Sequence, residues 1–450
     1  MIKRFPFLIL LVFIFSYSCD NTTKNEKVVQ PKTSKKAEKP IATIADVEKG
    51  IHDYITKKTK DEGGYFTIAD DTLNLKLRLV RVHTEYLSVL KKGSYFACVD
   101  LADVSGDVYD VDFFLEGTPQ NMEVTKTTLH KLNGKPFYTW KQNKKDKTWY
   151  TVPTDKADNI LLGVIEGEDQ FEFFYTIQLP KINSKAKLWL PIPQTDDFQT
   201  ITLKSVDAPI EIKTLTESKY GNKIGFVELE STHSEKIIEL TYNVIRKEKG
   251  PYAAPQPSTN VLSSSPLLPT GGRFQEIADS VLATKTNDNN LVKARALYDY
   301  VIETVRYAKQ GKYGTGDANF ACDSKSGNCT EFHSLFISLA KSAGIPARFA
   351  IGAAIPANRD EGGTDGYHCW AEFFAEGKWW PIDISEANKY SALATYYFGH
   401  HPANRIELSR GRDLVVQPSP SSGTIPFFAY PILEMNGIES KVKTRFSFKR

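Results

Sequence analysis

The sequence predicts a multidomain α+β protein, and three observations carry that prediction. From about Leu73 to Ile245 the apolar residues recur mainly with period two, the spacing of strands. From Arg273 onward they recur at helical spacing before returning to strands. A length of 450 residues accommodates about three domains at roughly 150 residues each. The composition, 41% hydrophobic and 25% charged, is that of a folded protein and excludes bulk disorder. With 57 Lys and Arg against 54 Asp and Glu, the net charge of +3 excludes a chain built to coat nucleic acid. Five cysteines are too few for a dense disulfide framework, so each is judged by its neighbours.

Residues 1–19 read as a secretion leader of the bacterial type. Lys3 and Arg4 form a basic start, Pro6 to Phe15 is almost wholly apolar, and Ser16, Tyr17, Ser18 and Cys19 follow. An apolar run of about ten residues is too short to span a bilayer core. A small residue followed by Cys resembles a lipoprotein lipobox, which implies lipidation of Cys19 as the mature N-terminus; Ser16 and Tyr17 depart from the usual pattern. The alternative is an ordinary cleaved signal peptide. Residues 20–43 are polar and without periodicity, as expected of a solvated tether. The expected location is therefore the bacterial cell envelope, anchored to the membrane through the N-terminal lipid, with an extracytoplasmic soluble part.

Residues 44–153 read as a small α+β module. Val47, Ile51, Tyr54 and Ile55 share one side of a helix, and two alternating runs follow, Leu73 to Leu79 and Tyr109 to Leu115. Asp110 and Asp112 are read as the wet face of that sheet rather than as metal ligands. The module resembles cystatin-like and NTF2-like units, but no motif assigns it a function. Residues 157–249 read as a β-sandwich, with strands at Phe171–Leu179, Lys187–Ile192, Thr200–Val206, Gly225–Leu229 and Ile237–Ile245. Residues 250–272, dense in Pro, Ser, Ala and Gly, read as a linker.

Residues 273–410 read as an α+β core. Two helices, marked by Phe274 to Leu282 and by Leu291 to Val305, precede a third near 329–343 and strands at Ala347–Ala354, His368–Phe374 and Trp379–Ile382. The third helix carries the chemistry. Asn328 stands where a cap belongs and Glu331 three residues on completes a capping-box signal, so Cys329 falls in the first turn. Unpaired N–H groups and the positive dipole end favour its thiolate. A Cys alone reads equally as a small buried residue, and His368 alone as a structural histidine. Their company changes this, because two strands joined by the turn at Ala375–Lys378 would hold His368 beside Asp383. An imidazole that takes the thiol proton and a carboxylate that orients it complete a nucleophilic triad.

Gly327-x-Cys329 opening an apolar helix, then Ala343-Gly344-Ile345-Pro346-Ala347-Arg348, His368-x-Trp370-x-Glu372 and Trp379-x-Pro381-x-Asp383, resembles the transglutaminase-like superfamily of papain-like cysteine enzymes. The resemblance spans about residues 270–400 and implies a papain-like fold with Cys329 as nucleophile, His368 as general base and Asp383 as its partner. It implies thiol-mediated acyl transfer on protein or peptide amides, with hydrolysis expected. The alternatives are protein-glutamine cross-linking and a non-catalytic scaffold. The preceding sandwich is similar to the β-domain that often accompanies this core.

No acidic loop with calcium-ligand spacing occurs, so no metal or cofactor is expected. The backbone N–H of Cys329 is one expected oxyanion donor, and a second is not placed. Cys322 and Cys369 read either as a disulfide or as two buried thiols. A zinc site of His333 with Cys322, Cys329 and Cys369 is set aside because the ligands lack the usual tight spacing. Trp370, Trp379 and Trp380 read as cleft lining or as core, and the glycine-rich stretch 358–366 is expected to border the cleft. Residues 411–450 are expected to add strands to an existing domain, at Leu414–Val416, Phe427–Tyr430 and Val442–Phe448.

Overall fold

The computed structural model describes residues 42–69, 74–91, 93–142, 149–153, 163–283, 289–389 and 393–450. The leader, Cys19 and the tether up to residue 41 lie outside the described residues. Among the described residues, no helix is long and apolar enough to cross a membrane. The fold is mixed helix and sheet, as the sequence predicts.

The N-terminal module pairs the helix Ile44–Asp61 with a six-stranded antiparallel meander running in chain order from Phe66–Ala69 to Lys135–Pro136. Thr43 caps the helix in a capping box with Asp46, and Val47, Ile51 and Ile55 are buried as the helical spacing requires. They pack on Val99, Leu101, Val111, Phe113 and Leu115, the apolar face of the sheet.

The other face of that sheet is not wet. Asp110 is 4% exposed and Asp112 0%, which corrects the solvated-face reading. Alternation distinguishes two faces of a strand, but whether the polar one meets water depends on what docks there. Here it meets the helix Asn290–Thr304. Arg295 Nη1 lies 2.9 Å from Asp100 Oδ2, and Arg81 Nη1 lies 2.8 Å from Asp299 Oδ1. Carboxylates are tolerated in such burial because cations accompany them. Val80, Ala102 and Val108 continue the hydrophobic core that runs through the sandwich and the helices beyond.

The sandwich consists of two five-stranded sheets. One orders Lys213–Thr216, Lys223–Leu229, Ala186–Ile192, Ile432–Met435 and Ile438–Ser440; the other orders Gln199–Asp207, Ile237–Lys247, Glu168–Gln178, Lys443–Lys449 and Glu361–Gly363. The C-terminal segment thus contributes two strands to the first sheet and one inner strand to the second. Of its three expected strands only Lys443–Lys449 forms. Leu414 makes a single bridge to Ile425, while Ile432–Met435 pairs with Ala186–Trp189. The 250–272 segment is also more than a linker, because Tyr252–Ala253 pairs with the strand Lys378–Ile382.

A third five-stranded sheet belongs to the core. It orders Tyr252–Ala253, Lys378–Ile382, His368–Ala375, Ala347–Ala354 and Arg405–Arg410, all antiparallel. The helix Cys329–Ser342 packs against it, with Phe336 edge-on to Phe373 at 6.1 Å.

Candidate active site

The helix Cys329–Ser342 starts where its cap dictates. Asn328 Oδ1 accepts the N–H of Thr330 at 2.9 Å, and Glu331 Oε2 accepts the N–H of Asn328 at 3.0 Å. The fully buried Glu331 also accepts the N–H groups of Gly314 at 3.0 Å and Gly316 at 2.8 Å, tying the preceding loop to the first turn. A Cβ at Gly327 would lie 2.3 Å from Glu331 Cβ, so only glycine fits beside this carboxylate. Cys329 is thereby held at the helix tip.

His368 opens the strand His368–Ala375 and pairs with Gly352. The next strand, Lys378–Ile382, returns antiparallel, and Asp383 follows it directly. His368 Nε2 lies 2.6 Å from Asp383 Oδ2. The second oxygen, Oδ1, accepts from Ser385 Oγ at 3.0 Å and from the N–H of Glu386 at 3.1 Å. Asp383 therefore caps the short helix Ile384–Lys389 with one oxygen and holds the imidazole with the other. Cys329 lines the same cleft as His368, and its thiolate is among the causes that raise the imidazole. Since Nε2 is taken by Asp383, Nδ1 is the nitrogen left for the sulfur. His368 and Asp383 are in direct contact, and Cys329 stands with His368 on one cleft wall.

That cleft, of about 600 Å³, is lined by Cys329, His368, Asn328, Tyr307, Tyr313, Tyr367, Tyr430, Lys309 and Lys389. Asn358, Asp365 and Gly366 border it too, as the sequence predicts for that stretch, although Glu361–Gly363 within it pairs with Ser447–Lys449. Trp370, Trp379 and Trp380 are all buried core.

Residues 275–384 match the family model described as the transglutaminase-like superfamily. The chain carries a transglutaminase-like domain. The match encloses Cys329, His368 and Asp383. An uncharacterized protein of Haemophilus influenzae is 26% identical, over 60% of this chain and 86% of its own length. Two solved structures described as "putative" proteases are also similar. One, a cysteine protease from Cytophaga hutchinsonii, is 16% identical over 62% of this chain and 91% of that one, at a TM-score of 0.44. The other, from Parabacteroides distasonis, is 11% identical over 64% and 63%, at a TM-score of 0.22.

Electrostatics in the transglutaminase-like domain favour charge separation. Burial pushes the Cys329 thiol up, but hydrogen bonds from Cys369 and His368 and the charge of His368 outweigh it and hold the thiol well below the usual cysteine range. Burial pushes His368 down, and the Asp383 carboxylate outweighs it, raising the imidazole to about 10. Asp383, despite its burial, stays below the ordinary carboxylate range because of His368. Both shifts favour a thiolate beside an imidazolium.

Cys369 and His333, weighed in the sequence as a disulfide partner or buried thiol and as a zinc ligand, take other roles. Cys369, in the strand beside His368, has its thiol pushed well above the usual range by burial and by the neighbouring Cys329 sulfur, and its Sγ lies 3.7 Å from His333 Nδ1. Cys322, Cys329 and Cys369 are all free, so the disulfide alternative gives way to separate thiols. His333, one turn along the helix, has Nδ1 2.7 Å from the Cys329 carbonyl oxygen and Nε2 accepting the N–H of Ile384 at 3.0 Å. With both nitrogens on backbone groups, this ring is a neutral brace between the helix tip and the Asp383 turn, not a zinc ligand. The i, i+4 spacing was the available signal for it.

Proposed function

We propose that the chain is an exported, membrane-tethered cysteine hydrolase that cleaves protein or peptide amides, with Cys329 as nucleophile, His368 as proton carrier and Asp383 as its orienting partner. The observation that carries this reading is the 2.6 Å contact of His368 Nε2 with Asp383 Oδ2, made beside Cys329 at the mouth of a helix. The family match supports the cysteine chemistry.

In this mechanism the Cys329 thiolate attacks the amide carbonyl carbon, and the carbonyl electron pair moves to oxygen. The N–H of Cys329 at the helix start is placed to hold that oxyanion. His368 delivers its Nδ1 proton to the leaving nitrogen, the C–N bond breaks, and a thioester remains on Cys329. The now neutral imidazole takes a proton from water, whose oxygen attacks the thioester; the acid is released and thiolate and imidazolium are restored. The cleft admits water to the thioester, and excess water outside the cell favours hydrolysis over transfer to an amine. The leader, Cys19 and the tether through residue 43 would hold the enzyme at the cell envelope.

Incubating the chain with a peptide library and reading products by mass tests the proposal. Cleavage products that vanish with Cys329→Ala are expected. Incorporation of an added primary amine into glutamine-bearing protein, without cleavage, would replace hydrolysis by cross-linking. A wild-type chain that neither cleaves nor transfers, with a thiol inert to iodoacetamide at neutral pH, would favour a scaffold.

A further inference from the structure

Outside the active site, four metal-ligating side chains converge in the N-terminal module. Cys98 Sγ, a ring nitrogen of His130 and one carboxylate oxygen each from Asp110 and Asp112 all lie within 4.8 Å of one another. Cys98, Asp110 and Asp112 are buried, and His130 is half-buried. They come from three adjacent strands. Cys98 sits opposite Asp112, and Asp110 opposite Lys131.

The strand Asn121–Leu132 reaches this face through an irregularity. Lys131 opposes Asp110 while Leu129 opposes Val111, so His130 is the extra residue of a β-bulge. In unbroken alternation His130 and Lys131 would point to opposite faces. The bulge brings both to the carboxylates. Lys131 Nζ is 2.8 Å from Asp110 Oδ2, and His130 Nδ1 is 3.3 Å from Asp112 Oδ1.

Cys98 Sγ lies 3.4 Å from the same Asp112 oxygen. Sulfur, nitrogen and oxygen ligands about 2.0–2.3 Å from a tetrahedral zinc ion stand about 3.4–3.6 Å from one another. Asp112 Oδ1 therefore has the sulfur and the imidazole at spacings close to the edges of such a tetrahedron. A second observation is independent of those spacings. Asp110 gives Oδ2 to Lys131, yet its buried Oδ1 has no hydrogen-bond partner. Charge points the same way: two carboxylates face one ammonium, and a divalent ion bound together with the Cys98 thiolate brings the group to neutrality. The mixed set of thiolate, imidazole and carboxylates suits a borderline ion of the zinc class.

We propose that Cys98, Asp110, Asp112 and His130 form a structural zinc-class site that fastens three strands of the N-terminal module. Four protein ligands leave no open position, as in structural rather than catalytic sites. Binding exchanges the Cys98 thiol proton for the ion, so one proton is released for each metal bound. The site is separate from the proposed hydrolase centre and stands or falls without it.

The test uses the full-length chain carrying Cys329→Ala, so that the active-site thiol contributes no signal, titrated with cobalt(II) chloride and separately with zinc sulfate. One equivalent of cobalt should bind with a thiolate-to-cobalt charge-transfer band. Cys98→Ser should abolish the band and weaken binding by at least about 100-fold, while Cys369→Ser leaves both unchanged. A band that survives Cys98→Ser, a band lost with Cys369→Ser, or no binding at micromolar cobalt overturns the proposal. If Cys98→Ser does not fold, His130→Gln at the half-buried position serves instead. Zinc should then raise the Tm of the parent and not that of His130→Gln, and an equal rise in both overturns the site.

Discussion

His333 Nδ1 lies 2.7 Å from the carbonyl oxygen of Cys329, and the opposite nitrogen of the same ring receives the N–H of Ile384, the residue after Asp383. One fully buried ring thus spans the two ends of the proposed triad. His333→Ala would orphan the Ile384 N–H and leave a cavity, which should cost about 2–4 kcal/mol in urea unfolding. It should lower kcat more than it raises KM. Because a glutamine oxygen can also accept from Ile384, His333→Gln should recover part of kcat. Equal loss of kcat in the two variants would contradict a bracing role.

Asp383 should set the alkaline limit of activity. The imidazolium of His368 is held up to about 10 by that carboxylate, so kcat/KM for amides should fall as pH rises through about 10, where the proton for the leaving nitrogen is lost. Removing the carboxylate in Asp383→Ala leaves burial to push His368 down, and the alkaline limb should move to lower pH. At neutral pH the rate should drop about 10²–10⁴-fold. Alkylation of Cys329 needs only the thiolate, so in the wild-type chain it should persist above the pH at which turnover fails. A pH–rate profile beside an iodoacetamide profile checks both.

Cys369 should set part of the acid limit. Acting as a donor, its thiol is among the causes that lower the Cys329 thiol and so favours the thiolate. Cys369→Ala removes that donor, and the Cys329 thiol should become a weaker acid. The acid limb of alkylation should therefore shift to higher pH, with the alkaline limb of turnover nearly unmoved. A shift of the alkaline limb instead would place Cys369 on His368.

Arg295 and Asp100 join the N-terminal module to the helix Asn290–Thr304 through a pair that is 1% and 0% exposed. Arg295→Met keeps most of the packing volume but leaves a buried carboxylate short of a cation. It should destabilise the chain by about 3 kcal/mol, and adding Asp100→Asn should return most of that. Urea unfolding followed by tryptophan fluorescence measures both. An Arg295→Met chain as stable as the parent would mean that the pair does not secure the interface.

Much of this was legible in the residues because local rules act over a few positions. The cap at Asn328, the helix it starts and the hairpin carrying His368 and Asp383 all follow from short-range patterns, and they set Cys329 at the helix tip and His368 beside Asp383. What escaped depends on distant partners. Alternation at Asp110 and Asp112 marks a polar face but says nothing of the helix that covers it. The pairing of Glu361–Gly363 with the last strand joins segments far apart in the chain, for which local spacing gives no signal. His333 was noticed for its place one turn from Cys329, but its partner Ile384 is set by tertiary packing.

The central claim is that Cys329 becomes acylated during turnover. Mixing the chain with a peptide p-nitrophenyl ester, quenching in acid and mapping the adduct by mass tests this directly. The account predicts one acyl group on Cys329, absent from Cys329→Ala and accumulating in the Asp383→Ala chain as deacylation slows. Steady product release with no adduct on Cys329, or with the acyl group on Cys322 or Cys369, would contradict it.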